Sequence, residues 1–239
     1  MTVLFQAAGV RAPDSDPADP PILHPVSLAL TEARIAVIGA NGSGKSTLLR
    51  LINGLLLPTT GTVSVEGADT ARQGSAVRRR VGFVFTDPLS QLVMPTGRDD
   101  VELSLRRSIR NGSERRAAAE RVLERFGLLH LADRSIYDLS GGERQLMALA
   151  AVLATEPAVL VADEPSTLLD LRNTVRLRGI LAGLPQQVIF TTHDLDFAAD
   201  AERVVVVEGG RIAADGPPAE SIAAYRQLAA QPPAGQRTV

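Results

Sequence analysis

The amino-acid sequence predicts an α/β fold whose parallel β-sheet is covered by helices on both faces. Three observations favour this class. Short, uniformly apolar segments alternate with helical patterns, a glycine-rich loop joins one such segment to a helix, and two carboxylates directly follow another. The length of 239 residues indicates one large domain, or one domain with an inserted subdomain. Because parallel strands line a ligand crevice with their carboxyl ends, we expect the loop and the carboxylates to mark that edge.

The first half of the chain contains short apolar runs with strand character and one helical pattern. Residues 11–25 are rich in Pro and Asp and predict a loop between the first two strands. An apolar pattern with helical spacing runs over Leu48–Leu57 and is stopped by Pro58. The predicted strands of this half lie near Val3–Gln6, Val26–Leu30, Arg34–Ile38, Thr62–Val65 and Val81–Phe85.

The second half begins with helices and returns to strands. Residues 98–155 are mostly helical in pattern, and their interleaved Arg and Glu side chains indicate solvated helix faces. The polar residues 231–239 contain two prolines and predict a flexible tail. Further strands are predicted at Ala158–Ala162, at Val188–Thr192 and at Val204–Glu208, which precedes a Gly-Gly turn.

Composition and charge exclude several classes of protein. The chain has 25 Lys and Arg against 27 Asp and Glu, a formal net charge of −2. It therefore lacks the excess of basic residues that is typical of a nucleic-acid-binding protein. The chain has no Cys, which excludes disulfides and thiolate metal sites. The longest apolar stretch, Leu146–Ala154, falls short of the roughly 20 residues that span a bilayer, and the N-terminus lacks the basic start of a signal peptide. We therefore expect a cytoplasmic chain that reaches a membrane only through a partner.

A phosphate-binding motif occupies residues 39–46, where GANGSGKS fits the pattern G-x-x-x-x-G-K-[ST]. Its glycines let backbone N–H groups turn inward around phosphate oxygens, and the helix that follows adds a partial positive charge. Lys45, the only lysine in the chain, would reach the β- and γ-phosphates, and the Ser46 hydroxyl would bind Mg²⁺. The predicted nucleotide-binding residues are Gly39, Asn41, Gly42, Ser43, Gly44, Lys45, Ser46 and Thr47.

An acidic pair, Asp163 and Glu164, directly follows the apolar run Ala158–Ala162. Asp163 would hold Mg²⁺, directly or through water, and Glu164 would polarise the attacking water. A solvated strand end is the alternative interpretation, and the phosphate-binding motif upstream disfavours it. The motif and the pair together predict hydrolysis of a nucleoside triphosphate.

A third motif, LSGGERQ, spans Leu139–Gln145. Ser140 can cap the following helix and Glu143 can complete a capping box, whereas the two glycines between them permit close approach of the backbone to an anion. With the other motifs in chain order, this run resembles the signature sequence of ABC-type ATPases over nearly the whole chain. The resemblance implies that the signature serves the ATP of an opposite subunit in a head-to-tail pair of identical or related chains. The residues expected to act in this way are Ser140, Gly141, Gly142 and Gln145.

The resemblance assigns roles to two further positions. His193 resembles the switch histidine that contacts the γ-phosphate, and it is expected to act in catalysis with Glu164 and Lys45. The run STLLD, which ends at Asp170, resembles the loop that links the two active sites across the pair.

The same resemblance implies a domain plan. We expect the P-loop NTPase fold of an ABC nucleotide-binding domain, with a parallel core sheet, an N-terminal antiparallel β part and an inserted helical subdomain. A single domain would cover 1–239, with a nucleotide-binding core from 1–87 and 156–230 and a helical subdomain from 88–155.

Residues 81–101 are the most informative segment within the family. They resemble the ATPases of energy-coupling-factor importers, with matching residues Asp87, Pro88, Gln91, Pro95, Thr96, Asp100 and Val101. The runs RLINGL and PTTGTVSVEG are most similar to the biotin importers, and cobalt and nickel importers are the alternatives. The resemblance implies a membrane-embedded coupling subunit, a membrane-embedded substrate-binding subunit and a position at the cytoplasmic face of the membrane. We expect the membrane partner to dock near Asp87–Thr96, where the apolar side chains of Leu89, Leu92, Val93 and Met94 look exposed. The alternative is that these four residues belong to the core of the helical subdomain.

Two positions depart from the family pattern. The family has Gln where this chain has Thr86, and Thr is too short to reach Mg²⁺ or the attacking water in the same way. The family also has an aromatic ring that stacks on adenine, and this chain has Ala12 at that position. His24 is a candidate substitute for the ring, and a solvated loop residue is the alternative interpretation of His24. These departures motivate a second hypothesis, a regulatory nucleotide-binding subunit with low turnover, which the presence of Glu164 and His193 disfavours. A third hypothesis, action on nucleic acid or ribosomes, is disfavoured by the neutral charge.

Overall fold

The computed structural model describes residues 1–16 and 18–230, so the predicted tail at 231–239 lies outside the described residues. The chain groups into two compact units. The first comprises Met1–Gly74 and the chain from Ile189 onward, and the second comprises Ser75–Val188.

The structure assigns ten strands and eight α-helices to the described residues. In chain order the strands are β1 (Val3–Val10), β2 (Leu23–Leu30), β3 (Arg34–Ile38), β4 (Thr60–Val65), β5 (Ala68–Asp69), β6 (Val81–Val84), β7 (Val159–Ala162), β8 (Gln187–Thr191), β9 (Arg203–Glu208) and β10 (Arg211–Gly216). The helices are α1 (Lys45–Ile52), α2 (Gly74–Arg80), α3 (Gly97–Leu105), α4 (Gly112–Arg125), α5 (Gly141–Leu153), α6 (Leu171–Ala182), α7 (Leu195–Ala198) and α8 (Pro218–Ala229). None of these helices has the length and apolarity that crossing a membrane requires.

The first unit contains an antiparallel sheet with strand order β2-β1-β4-β5 and a second set of strands in the order β10-β9-β3-β8. Strands β3 and β9 pair in parallel, with Ile35 opposite Arg203 and Ile38 opposite Val206. Both strands are almost wholly apolar and buried, as expected for parallel strands that are covered on both faces. Strand β10 turns back on β9 through a Gly-Gly pair, which places Gly210 at the turn.

In the second unit, β6 and β7 pair in parallel, with Val81 opposite Val159 and Val84 opposite Ala162. The four residues of β7 are all buried, which explains its uninterrupted apolar sequence. Helices α3, α4 and α5 occupy most of the segment that was predicted to be helical. Helix α5 buries nine of its residues, so it forms a large part of the core of this unit.

Several element boundaries differ from the predictions. Helix α1 ends at Ile52 rather than near Leu57, because Gly54 adopts a left-handed backbone conformation (φ +69°) that stops a helix. Helix α2 buries only Val77 and ends in three arginines, so it carries little apolar pattern. Strand β10 has no buried residue, and its sequence therefore gives no signal of a core strand.

Candidate functional site

The phosphate loop connects the end of β3 to the start of α1. Gly39 has φ +151°, and a Cβ atom at this position would overlap the carbonyl oxygen of Val207. Gly44 precedes α1 with φ +107°, a backbone conformation that residues with a side chain rarely adopt. Both glycines are therefore required by the backbone path of the loop.

The Lys45 side chain lies inside this loop. Lys45 is 5% exposed, and its Nζ donates hydrogen bonds of 3.0 Å to the carbonyl oxygens of Gly39 and Ala40. The nearby Ser43 hydroxyl is buried and has no hydrogen-bond partner, although its backbone carbonyl accepts a hydrogen bond from Gly210 N at 2.9 Å. A buried polar atom without a partner is costly, and an anion oxygen bound in the loop would satisfy it. The residues present thus fit a phosphate group.

The other predicted residues of the loop are more accessible. Asn41 and Gly42 are exposed, whereas Ser46 and Thr47 at the start of α1 are half-buried. Helix α1 has no side-chain N-cap hydrogen bond, and its N-terminus carries the partial positive charge that favours an anion. The arrangement is a helix N-terminus preceded by a glycine-rich loop, which suits an anion.

In the second unit, the acidic pair follows the end of β7. Asp163 is 3% exposed, and its backbone N–H donates to Val84 O at 2.9 Å, which extends the pairing of β6 and β7 by one residue. Glu164 is half-buried and has φ +46°, a left-handed conformation that costs about 1–3 kcal/mol for a residue with a side chain. The hydroxyl of Thr167 donates to Glu164 Oε2 at 2.9 Å. The strained residue is thus the one predicted to polarise water.

Thr86 contacts this same segment. The residue is half-buried, and its hydroxyl donates a hydrogen bond of 3.0 Å to the carbonyl oxygen of Asp163. Its shorter side chain therefore has a partner of its own within the second unit. Gln91, five residues later, accepts a hydrogen bond from Phe85 N and donates one to Ala148 O.

The signature motif forms the start of α5. Ser140 is the N-cap, and it makes a reciprocal capping box with Glu143. The backbone N–H and the hydroxyl of Ser140 donate to the Glu143 carboxylate, each at 2.8 Å, and these hydrogen bonds lower the pKa of Glu143. A Cβ atom at Gly142 would lie 2.6 Å from Nδ2 of Asn173, so a larger residue here would have to displace that side chain of α6. The sequence motif did not reveal this contact.

Gln145 does not share the accessible position of Ser140. It is 1% exposed, and neither its amide nitrogen nor its amide oxygen has a hydrogen-bond partner. The expectation that its side chain serves a nucleotide of an opposite subunit is not supported by this arrangement, because the side chain faces the core of its own unit.

Two further predicted residues lie at the ends of elements. His193 is exposed and follows β8 by two residues, where Thr192 N donates to Val37 O at 3.3 Å and holds the chain against β3. Asp170 is exposed and caps α6 by accepting a hydrogen bond of 2.8 Å from Asn173 N. Asn173 thus links the loop before α6 to the close packing at Gly142, and it was not singled out from the sequence.

The structure corrects the expected exposure of the segment that follows Thr86. Leu92 is 4% exposed and belongs to the core, whereas Val93 is 69% exposed and Leu89 is 39% exposed. Asp100 explains this arrangement, because its carboxylate accepts hydrogen bonds from the backbone N–H groups of Val93 and Met94 and fixes the turn. Burial raises the pKa of Asp100.

The position of the missing adenine-stacking ring, Ala12, and its candidate substitute, His24, both lie in the first unit. Ala12 is exposed at a turn in which its carbonyl accepts from Ser15. His24 lies within β2 rather than in a loop, and it lines a cavity with Arg211. Its pKa is lowered by desolvation and by the neighbouring charges of Arg211 and Arg11.

Comparison with known proteins identifies the family. The sequence profile described as ABC transporter matches residues 23–167. The biotin transport ATP-binding protein BioM of Rhizobium etli is 48% identical over 96% of this chain and 100% of its own length. The dimeric post-hydrolysis structure of the ATP-binding cassette MJ0796 bound to ADP and Pi superposes with a TM-score of 0.82 at 28% identity, covering 90% of this chain and 98% of that one.

A second solved structure points in the same direction. CbiO1 from Clostridium perfringens, described as part of the ABC transporter complex CbiONQ, has a TM-score of 0.80 at 29% identity and covers 92% of this chain and 90% of its own. These similarities confirm the predicted fold class. With the phosphate loop, the acidic pair and the signature in family order, the chain belongs to the ABC transporter family of ATP-binding cassettes.

Proposed function

We propose that this chain is the ATP-binding and ATP-hydrolysing subunit of an energy-coupling-factor type importer whose substrate is biotin. The observation that carries the ATPase assignment is the phosphate loop, which holds a buried lysine and a buried serine hydroxyl that has no hydrogen-bond partner. The 48% identity to a biotin transport ATP-binding protein supports the choice of biotin over cobalt or nickel.

The loop explains how the triphosphate is bound. Lys45 exchanges carbonyl partners for phosphate oxygens of ATP, and the Ser43 hydroxyl gains a partner. The N-terminus of α1 adds its partial positive charge to the same anion. Binding therefore satisfies groups that the loop otherwise holds at a cost in free energy.

Mg²⁺ fits the hard oxygen donors that the sequence singled out. The hydroxyl of Ser46 and the carboxylate of Asp163 are the groups proposed to hold it. When bound, the ion neutralises charge on the β- and γ-phosphates. Glu164 accepts a proton from the attacking water, and the His193 imidazole stabilises the γ-phosphate.

A pair of cassettes and a membrane complex complete the proposal. Exposed apolar side chains cluster on the loop before α6 and on its first turns: Leu168 is 53%, Leu171 80% and Val175 60% exposed. A partner cassette would cover part of such a surface. Gly141 packs close to Leu168 O, so the signature and this apolar group belong to one surface. We propose that the pair binds a membrane-embedded coupling subunit and a substrate-binding subunit at the cytoplasmic face of the membrane, without nucleic acid.

The alternative of a regulatory subunit with low turnover is tested at the water-polarising residue. Glu164→Gln keeps the size of the side chain and removes the base, so ATP should still bind while turnover falls about 100-fold or more. A cassette pair trapped with ATP, seen by size exclusion, is the expected product. Turnover in the wild-type chain that already equals that of Glu164→Gln would favour the regulatory alternative.

The substrate is tested by transport. Cells that express the chain with its membrane partners should accumulate labelled biotin in an ATP-dependent manner, and Glu164→Gln should abolish this uptake. Uptake of Co²⁺ or Ni²⁺ without uptake of biotin would assign the complex to the metal-ion importers instead.

A further inference from the structure

The hydroxyl of Thr86 is placed where a β-ladder would place a backbone amide. In a parallel pair of strands, a residue donates one hydrogen bond from its N–H and accepts one at its carbonyl, and the two partners are two residues apart on the neighbouring strand. Asp163 N donates to Val84 O at 2.9 Å, so the partner of the Asp163 carbonyl is expected at position 86. Strand β6 ends at Val84, and it is the Thr86 side chain that donates to this carbonyl, at 3.0 Å.

This hydrogen bond affects Glu164 through the planar peptide group that joins it to Asp163. The carbonyl of Asp163 and the N–H of Glu164 belong to one planar peptide group, so a bond to that carbonyl fixes the plane from which Glu164 extends. Glu164 leaves this plane with φ +46°, a conformation that persists only where its surroundings hold it. The Glu164 carboxylate accepts a hydrogen bond of 2.9 Å from the Thr167 hydroxyl.

We propose that Thr86 is a positioning residue for hydrolysis, and that its hydroxyl sets the direction of the Glu164 carboxylate by holding the peptide between Asp163 and Glu164. This inference rests on the proposed role of Glu164. On this proposal, threonine at position 86 has a function that the glutamine of the family would not have. The Thr86 hydroxyl is attached to Cβ and reaches the Asp163 carbonyl, whereas the polar end of a Gln side chain would extend past it.

The test compares three replacements of Thr86 in the full chain with its partners. Thr86→Val keeps the shape and removes the hydroxyl, and its kcat for ATP should fall about 10-fold or more while the KM and the Kd for ATP stay within about twofold. Thr86→Ser keeps the hydroxyl and should retain kcat within about twofold of the wild-type value. Thr86→Gln should behave like Thr86→Val.

A double-variant cycle separates positioning from a general structural role. If Thr86 acts through Glu164, then Thr86→Val should leave the residual rate of Glu164→Gln unchanged within about twofold. Thr86→Ala, with its melting temperature measured, replaces Thr86→Val if the latter does not fold.

The outcomes distinguish the failure of this inference from failure of the proposed function. Unchanged turnover in Glu164→Gln would remove the proposed base itself. Loss of turnover in Glu164→Gln with unchanged kcat in Thr86→Val, or an equal loss in Thr86→Ser, would overturn only the role of Thr86. An equal fold-loss from Thr86→Val in the wild-type and Glu164→Gln backgrounds would overturn it as well.

Discussion

The phosphate loop of the first unit and the acidic loop of the second unit hold their functional groups in different ways. In the phosphate loop, backbone geometry dominates: three glycines with positive φ shape the turn, and Lys45 is held by main-chain carbonyls. In the acidic loop, side-chain hydroxyls dominate, since Thr86 holds the Asp163 carbonyl and Thr167 holds the Glu164 carboxylate. A loop whose shape depends on glycine backbone angles tolerates few substitutions. A loop held by side-chain hydroxyls can be held by a different side chain in another sequence.

Replacement of Lys45 tests the phosphate loop, and it should have the largest effect on ATP turnover. Lys45→Ala removes the ammonium that two carbonyls hold, and ATP turnover should fall by about 100-fold or more. Lys45→Arg should fail to rescue it, because the planar guanidinium is too large for a nearly closed loop. ATP binding by equilibrium dialysis and turnover by phosphate release are the measurements. Turnover in Lys45→Arg close to the wild-type rate would show that the loop is more adaptable than its backbone indicates.

A second prediction concerns two neighbouring residues in the segment that follows Thr86. Leu92→Asp places a charge in the core of the second unit and should lower the free energy of unfolding by about 3 kcal/mol or more. Val93→Asp changes an exposed position and should alter stability by about 0.5 kcal/mol or less. If this segment binds the membrane partner, Val93→Asp should lose co-purification with it while basal ATP turnover survives. Full co-purification of Val93→Asp would place the docking surface elsewhere.

Two glutamines, one within α5 and one bonded to it, differ in whether their amide groups have hydrogen-bond partners. Gln91 is bonded to Phe85 N and Ala148 O, whereas both amide atoms of Gln145 are buried without partners. Gln91→Met should therefore destabilise the fold by about 1–3 kcal/mol, and Gln145→Met should be neutral or stabilising. Melting temperatures measured without nucleotide provide the comparison. A loss of stability in Gln145→Met as large as that in Gln91→Met would show that the Gln145 amide is satisfied in solution.

The smallest effect is expected from the capping box and depends on pH. Glu143 has a lowered pKa because the N–H and the hydroxyl of Ser140 donate to its carboxylate. The stabilisation is therefore present above the ordinary glutamate pKa and is lost as pH falls through the lowered value in the folded state. Glu143→Ala should cost about 1 kcal/mol or less at pH 7, and its melting temperature should converge with that of the wild-type chain in acid. A difference that is constant between pH 7 and the acid range would exclude the charge as its source.

Much of the fold and the phosphate loop could be predicted from the sequence because both depend on local patterns. Strand β3 was predicted with its correct bounds, since a uniformly apolar run before a glycine loop leaves little choice. Strand β10 and helix α2 escaped prediction because they bury almost nothing. The exposure of Leu92 was predicted wrongly because the carboxylate of Asp100, eight residues later, turns the backbone there.

The partners of functional side chains were harder to predict than the side chains themselves. The sequence identified Thr86 only as a departure from a family pattern, and its hydrogen-bond partner, Asp163, is 77 residues away in the chain. Likewise, the burial of Gln145 follows from the packing of α5 and not from its motif. Contacts between residues so far apart in the chain leave no periodic pattern in the sequence, so they could not be predicted from it.

The discontinuous first unit has a consequence for the order of events during synthesis. The hydrogen bonds from Ala33 N to Glu202 and from Arg203 to Ala29 O join residues 169 and 174 positions apart, so neither can form until β9 has left the ribosome. At translation rates of about 5–20 residues per second, the N-terminal strands wait for roughly 10–30 s before these partners arrive. During that interval the apolar edge of β3 is open to other nascent chains, and chaperones that shield strand edges should raise the yield of folded cassette more than slower translation does.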